Sequence, residues 1–173
     1  MAQAQAGGDF AQLHAWIAAN LRGNLTVERL AEQARMSPRT FARAYAAKHG
    51  RTPAKTVEAM ATLATEIHPL FNRFFHESDF SADPVVQAAV KAHGTTKLLA
   101  WFREQDAALT GEYWSGGDFP TAADHYFAVI ARWGRWLDPP ATRMKNIEPF
   151  LNRMAARPAV ARALAREGNT LFS

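Results

Sequence analysis

Between Thr121 and Leu137 the chain reads TAADHYFAVIARWGRWL, and this stretch restricts the possible folds more than any other. Thr121 and Asp124 stand at the spacing of a capping box: the threonine accepts from an amide at the helix start and the aspartate reaches back. Tyr126, Phe127, Val129, Ile130, Trp133 and Leu137 then cover nearly the whole circumference of a helix. A helix apolar on almost every side has to be enclosed by other elements, so this one is expected at the centre of its domain. Arg132 and Arg135 interrupt the run, which falls far short of the ~20 residues needed to cross a bilayer.

What encloses it is also expected to be helical. Alanine is abundant and β-branched residues are sparse, and alanine loses least on entering a helix. The spacing predicts helices over 61–75, 84–109, 121–137, 146–156 and 159–165, and no βαβ pattern occurs. A length of 173 residues suits one ordinary domain or two small ones, and 48% hydrophobic against 21% charged residues is the balance of a core-forming soluble protein. The absence of cysteine excludes disulfides, thiolate metal sites and cysteine nucleophiles. The opening MAQAQAGGDF has neither a basic region nor an apolar run, so no signal peptide and a cytoplasmic location are expected.

Charge is unevenly placed. Residues 1–60 hold eight Lys/Arg against four Asp/Glu, and residues 61–173 hold twelve of each, so the whole excess of +4 lies in the first third. That third reads as short helices. Asp9 caps one running to about Leu21, with Phe10, Leu13, Trp16, Ile17 and Leu21 on one face. Thr26 caps a second, Arg35-Met36 turns the chain, and Ser37 caps a third with Pro38 at its first position and Gly50 as its left-handed end. Thr52-Pro53 opens a fourth. Two short helices with a tight turn, the second presenting arginines, describe a helix-turn-helix in which Phe41 and Tyr45 face inward and Arg39, Thr40 and Arg43 outward.

The stretch LTVERLAEQARMSPRTFARAYAAKHGRTPAKTVEAM resembles the first helix-turn-helix of AraC-type transcription regulators, over roughly residues 9–60. The resemblance implies DNA contacts by Arg39, Ala42 and Arg43, with Ser37, Thr40 and Lys48 near the backbone, arginine being suited to guanine and phosphate. The second such motif of those regulators is absent, so useful affinity would need a second copy of the chain.

After residue 61 the order ATEIHPLFNRFF, the run from Trp114 to Asp124, the stretch from Ala123 to Trp133, and MAARPAVARALAREG resembles the helical C-terminal domain of glutathione S-transferases, especially the bacterial beta type. The resemblance implies a fold, and it places His68 and Trp133 at a vestigial wall of a substrate pocket. In that family a separate thioredoxin-like domain binds glutathione and supplies a catalytic Cys, Ser or Tyr. That half has no counterpart in the pattern of this chain, so no enzyme and no cofactor are expected. For both residues a plain structural role, a helix-end histidine and a core aromatic, weighs more.

Other chemistry is weakly marked. Ser115, His93 and Asp118 lack the spacing of a nucleophile and its base, the six histidines show no HxxxH or HExxH pairing for a metal, and Gly116-Gly117 reads as a plain turn. The two parts meet within VEAMATLATEIHPLF, where no flexible spacer occurs and one continuous helix from about Thr52 to His68 is expected.

The expectation is therefore an all-α chain, a helix-turn-helix module (1–60) joined by a continuous helix to a transferase-like bundle (61–173). Its expected function is DNA-binding regulation, with the bundle serving dimerisation or ligand sensing. The alternative is a non-catalytic chimera, natural or engineered, with neither activity. DNA and a second copy of the chain are the expected partners, a small-molecule ligand is admitted, and a membrane is not. Phe71, Phe74, Phe75 or Phe80 are the candidates for the uncovered apolar surface that would drive a homodimer.

Overall fold

The computed structural model describes Phe10, Leu13, Trp16 and residues 26–172, and among them every regular element is a helix. The helix expected from Asp9 to about Leu21 lies mostly outside the described residues; of its apolar face, Phe10 and Leu13 are buried.

Helix α1 (Val27–Gln33) is capped by the Thr26 hydroxyl, which accepts from the Arg29 amide at 3.3 Å. The chain turns at Arg35, in the left-handed region (φ 54°), and the Met36 amide returns to the Ala31 carbonyl. Helix α2 (Pro38–His49) starts at Ser37, whose hydroxyl accepts from the Thr40 amide, and ends at Gly50 with φ 72°. Phe10, Leu13, Ala31 and Phe41 form a small core of their own, against which Val27, Leu30, Met36 and Tyr45 pack.

Helix α3 (Pro53–Thr62) is capped by Thr52 and continues without a break through a wide π-turn (Leu63–Ile67) into α4 (His68–Phe75). The rod therefore runs to Phe75, beyond the expected end at His68. Pro69 explains the widening: it has no amide hydrogen to offer, and the His68 amide reaches back five residues to the Leu63 carbonyl. Leu63 and Ile67 are both buried there.

Asp83 caps the long α5 (Pro84–Ala108), which crosses α4 at Gly94; a Cβ there would stand 3.1 Å from Arg73 Cβ and from the Leu70 carbonyl. Helix α6 (Ala122–Trp133) is the enclosed element: Phe127, Ile130 and Ala131 are fully buried, and a short 3₁₀ turn, Gly134–Trp136, follows it. Helix α7 (Ile147–Ala156) takes its cap from another helix, the Asp106 carboxylate accepting from the amides of Asn146 and Ile147. Helix α8 (Pro158–Glu167) lies on the outside and ends at Gly168, φ 62°. The main core gathers Leu63, Phe71, Phe102, Phe127, Ile130, Phe150 and Leu151.

The segment from Tyr113 to Thr121 ties these parts together. Trp114 stacks on Phe127 with centroids 4.7 Å apart, and its Nε1 donates to Gln105. Asp124, fully buried, accepts from the Ser115 amide (2.8 Å), the Thr121 amide (2.6 Å) and the Thr121 hydroxyl (2.7 Å). Arg51 donates to the carbonyls of Trp114 and Ser115 and lies over the Trp114 ring at 4.8 Å. Burial draws its guanidinium below the ordinary value, with the Asp124 charge acting in the opposite sense. Gly116-Gly117, a plain turn by sequence, is the point where this loop's backbone meets the end of α2: a Cβ on Gly117 would overlap the backbone of His49 and Gly50, and one on Gly50 the backbone of Gly116 and Gly117.

Two outcomes follow for stability. Asp124→Ala leaves three donors unanswered and is expected to cost about 3 kcal/mol, read as a lower urea midpoint at unchanged m-value. Gly117→Ala forces the loop and the end of α2 apart and is expected to cost about 2 kcal/mol, with faster tryptic cleavage between Val27 and Gly50 than in the bundle. Cleavage accelerated equally throughout would show that the two helical groups do not separate at this contact.

Candidate functional site

Helix α4 begins with His68 one residue before Pro69, directly after the π-turn, and this sets its side chain against α6. Its Nδ1 lies 3.2 Å from the Tyr126 hydroxyl, and its ring stands edge-on to Trp133 at 4.8 Å and 81°. Tyr126 and Trp133 are seven residues apart, two turns of one helix, and so share a stripe. Trp133 also meets Phe71 edge-on at 5.5 Å, and Phe71 stacks on Phe75 at 5.7 Å.

His68, Phe71, Phe75 and Trp133 open onto a cleft of about 410 Å³ that Arg135 and Trp136, among others, also line. Its polar lining consists of His68, Asn72, His76, Arg132 and Arg135. Arg132 donates to the Thr170 carbonyl and to Asn169 Oδ1, fixing the described end of the chain. Two larger hollows, of about 550 and 670 Å³, lie where the first helices meet the bundle, and neither includes His68 or Trp133. Among the described residues no group of three His, Asp or Glu is placed to hold a metal, and no described helix is long and apolar enough to cross a membrane.

The residues assigned to DNA stand on and around α2. Arg39 and Arg43 are exposed, while Ala42 and Thr40 are half-buried. Ser37 and Thr40 bond to each other, hydroxyl to hydroxyl at 2.9 Å. Lys48 lies over the rings of Phe119 (4.7 Å) and Phe10 (5.5 Å), which makes it part of the contact between α2 and the loop before α6. Several further cations of the basic first third are also engaged: Arg29 over Trp16, Arg51 on carbonyls, Lys55 with Glu58.

Thr121 and Asp124, by contrast, hold the buried start of α6 described above and line no part of the cleft. Sequence reasoning passed over Tyr126 and Arg135, treating one as core and the other as a break in an apolar run. The seven-residue interval from Tyr126 to Trp133 was the signal that could have joined Tyr126 to the pair.

No protein-family model matches the chain. Two curated proteins do. A glutathione S-transferase, GstA, of Escherichia coli O157:H7 is 33% identical over 115 residues, 66% of this chain and 53% of its own length. Glutathione S-transferase GST-4.5 of Xanthomonas campestris pv. campestris is 28% identical over 118 residues, 68% and 58% of the respective lengths. The relatives are glutathione S-transferases. This chain spans about half the length of each.

Among solved structures, a glutathione S-transferase from Xylella fastidiosa matches with a TM-score of 0.61 and 21% identity, over 90% of this chain and 81% of that one. A glutathione transferase homolog from Sulfitobacter, with bound glutathione, matches at 0.55 and 21%, over 93% and 84%. These likenesses show the fold: an all-helical chain whose bundle is like the C-terminal helical part of those proteins.

The comparisons correct the functional expectation. DNA-binding regulation, and DNA as a partner, are overturned, because the relatives and structural neighbours are transferases and none is a regulator. The non-catalytic chimera and the expectation that the chain is not an enzyme fall with them, since the named relatives are enzymes. The physical reason for the first error is visible in the cations themselves. Lys48, which the resemblance sets near the DNA backbone, instead lies over the rings of Phe119 and Phe10.

Proposed function

We propose that the chain serves glutathione conjugation, with the cleft between α4 and the end of α6 as the wall that receives the electrophile. The observation that carries this reading is His68, bonded through Nδ1 to Tyr126 and set edge-on to Trp133 in a cleft of aromatic side chains. The names of the relatives point the same way.

The chemistry is the attack of the glutathione sulfur on an electrophilic carbon: the C–S bond forms and the bond to the leaving group, chloride in a chloroarene, breaks with its electron pair departing into solvent. The thiol has to lose its proton, since the thiolate is the nucleophile. A free thiol has a pKa near ~8.5, so a neighbouring base raises the thiolate fraction at neutral pH. With the Tyr126 hydroxyl accepting from Nδ1–H, His68 presents the lone pair of Nε2 and takes that proton. Phe71, Phe75 and Trp133 hold the apolar body of the electrophile. The chain has no cysteine of its own, so the sulfur in this scheme is that of glutathione.

The same reading treats residues 1–60 and 61–173 as separate units, a division supported by the two hydrophobic clusters. The likeness of the first unit to an AraC-type helix-turn-helix is an inference of descent, carried by its Thr26 and Ser37 caps and the turn at Arg35-Met36. No nucleic-acid contact is assigned to it.

The assay is the initial rate of glutathione conjugation to 1-chloro-2,4-dinitrobenzene by the full chain. A rate above the uncatalysed reaction is expected, and His68→Gln should lower it about a hundredfold, the scale of a lost general base. Tyr126→Phe should lower it about fivefold through the orientation of His68, with a stability change of only about 1 kcal/mol. A rate that never exceeds background, or one indifferent to His68→Gln, would sink the reading.

A further inference from the structure

Arg51 and Arg135, both half-buried, are treated differently. Arg51 meets two carbonyls and an aromatic face. Arg135 donates through Nη1 to the Arg132 carbonyl at 2.9 Å and lies over the Trp136 ring at 4.7 Å, but its buried Nε has no hydrogen-bond partner. Among the described residues the bundle's ion pairs lie elsewhere, between Lys91 and Glu77 and between Arg143 and Glu148. None of the described residues lining the cleft is acidic. Burial draws the Arg135 guanidinium below its ordinary value, and the like charge of Arg132 adds to the effect.

The walls around it are aromatic and uncovered: Phe75 is 40% exposed and Trp136 61%. The Nε is sealed within the protein, but the remainder of the guanidinium and the exposed aromatic rings border one cleft, where a single ligand meets both. That ligand has a flat apolar body and an anionic group. The cleft, at about 410 Å³, has room for one substituted ring system.

We propose that Arg135 sets the substrate class of this cleft: an aromatic electrophile carrying a carboxylate or a similar anion, its ring on the aromatic wall and its charge on the guanidinium. The word electrophile rests on the conjugation reading; the binding of an aromatic anion stands on the cleft alone.

The test is equilibrium quenching of tryptophan emission in the full chain by 3,5-dinitrobenzoate and by its methyl ester, which keeps the ring and removes the charge. The acid should bind about tenfold more tightly than the ester, as a charge-assisted contact implies. In Arg135→Gln the two affinities should converge, and in Arg135→Lys part of the gap should remain. Raising the salt from about 50 to about 500 mM should weaken the acid and leave the ester unchanged. Equal binding of acid and ester by the native chain overturns the proposal, as does a gap that survives Arg135→Gln. Should Arg135→Gln unfold, the salt series on the native chain and Arg135→Lys decides. A charge preference without any conjugation rate keeps this inference and retires the transferase reading; conjugation without the preference does the reverse.

Discussion

The carboxylate of Asp124 is the constraint on which the architecture depends. It is fully buried, and a buried charge is tolerated only where its hydrogen bonds are met. Here three donors meet it, two from Thr121 and one from Ser115. The first two define where α6 begins; the third draws in the loop before it. Once that loop is fixed, Trp114 stacks on Phe127, and the carbonyls of Trp114 and Ser115 are available to Arg51. The docking of the first helices on the bundle is thus a consequence of how the central helix is capped.

The register of α6 also places the site. A helix held at its first turn cannot rotate about its axis, so Tyr126 and Trp133 are committed to the stripe that faces α4. The other half of the arrangement comes from Pro69. By removing one amide it widens the turn at Leu63–Ile67, which slows the drift of a four-residue spacing around the axis. Leu63, Ile67 and Phe71 then all reach the core, and His68 emerges beside them against Tyr126 and Trp133. Two backbone events, a cap and a missing donor, account for the meeting of three side chains.

Much of this was legible in the residues. The helical class, the enclosed α6, the Thr26 and Ser37 positions and the continuous rod all follow from local patterns of spacing and capping. What stayed hidden was long-range. Nothing near Asp124 announces that Ser115 will be its third donor, and nothing in Gly116-Gly117 announces that His49 and Gly50, more than sixty residues earlier, will lie against it. Charge counting failed for a related reason. A lysine over a phenylalanine ring and a lysine facing phosphate are the same letter, and only the fold of Phe119 onto Lys48 tells them apart.

The comparison of Arg51 with Arg135 shows where the fold has completed its own interactions and where it has not. Both guanidiniums follow the end of a helix, both lie over an indole, and both are drawn down by burial. Arg51 also has two carbonyls and the attraction of Asp124, so its charge is answered from within the chain. Arg135 has one carbonyl, a neighbouring arginine of like sign and an open aromatic cleft. Packing alone gives no reason to hold a second cation there, since an apolar side chain of similar size would fill the space without the desolvation cost. A charge kept at such a cost beside His68 is best explained by something that arrives from solution and brings the opposite sign.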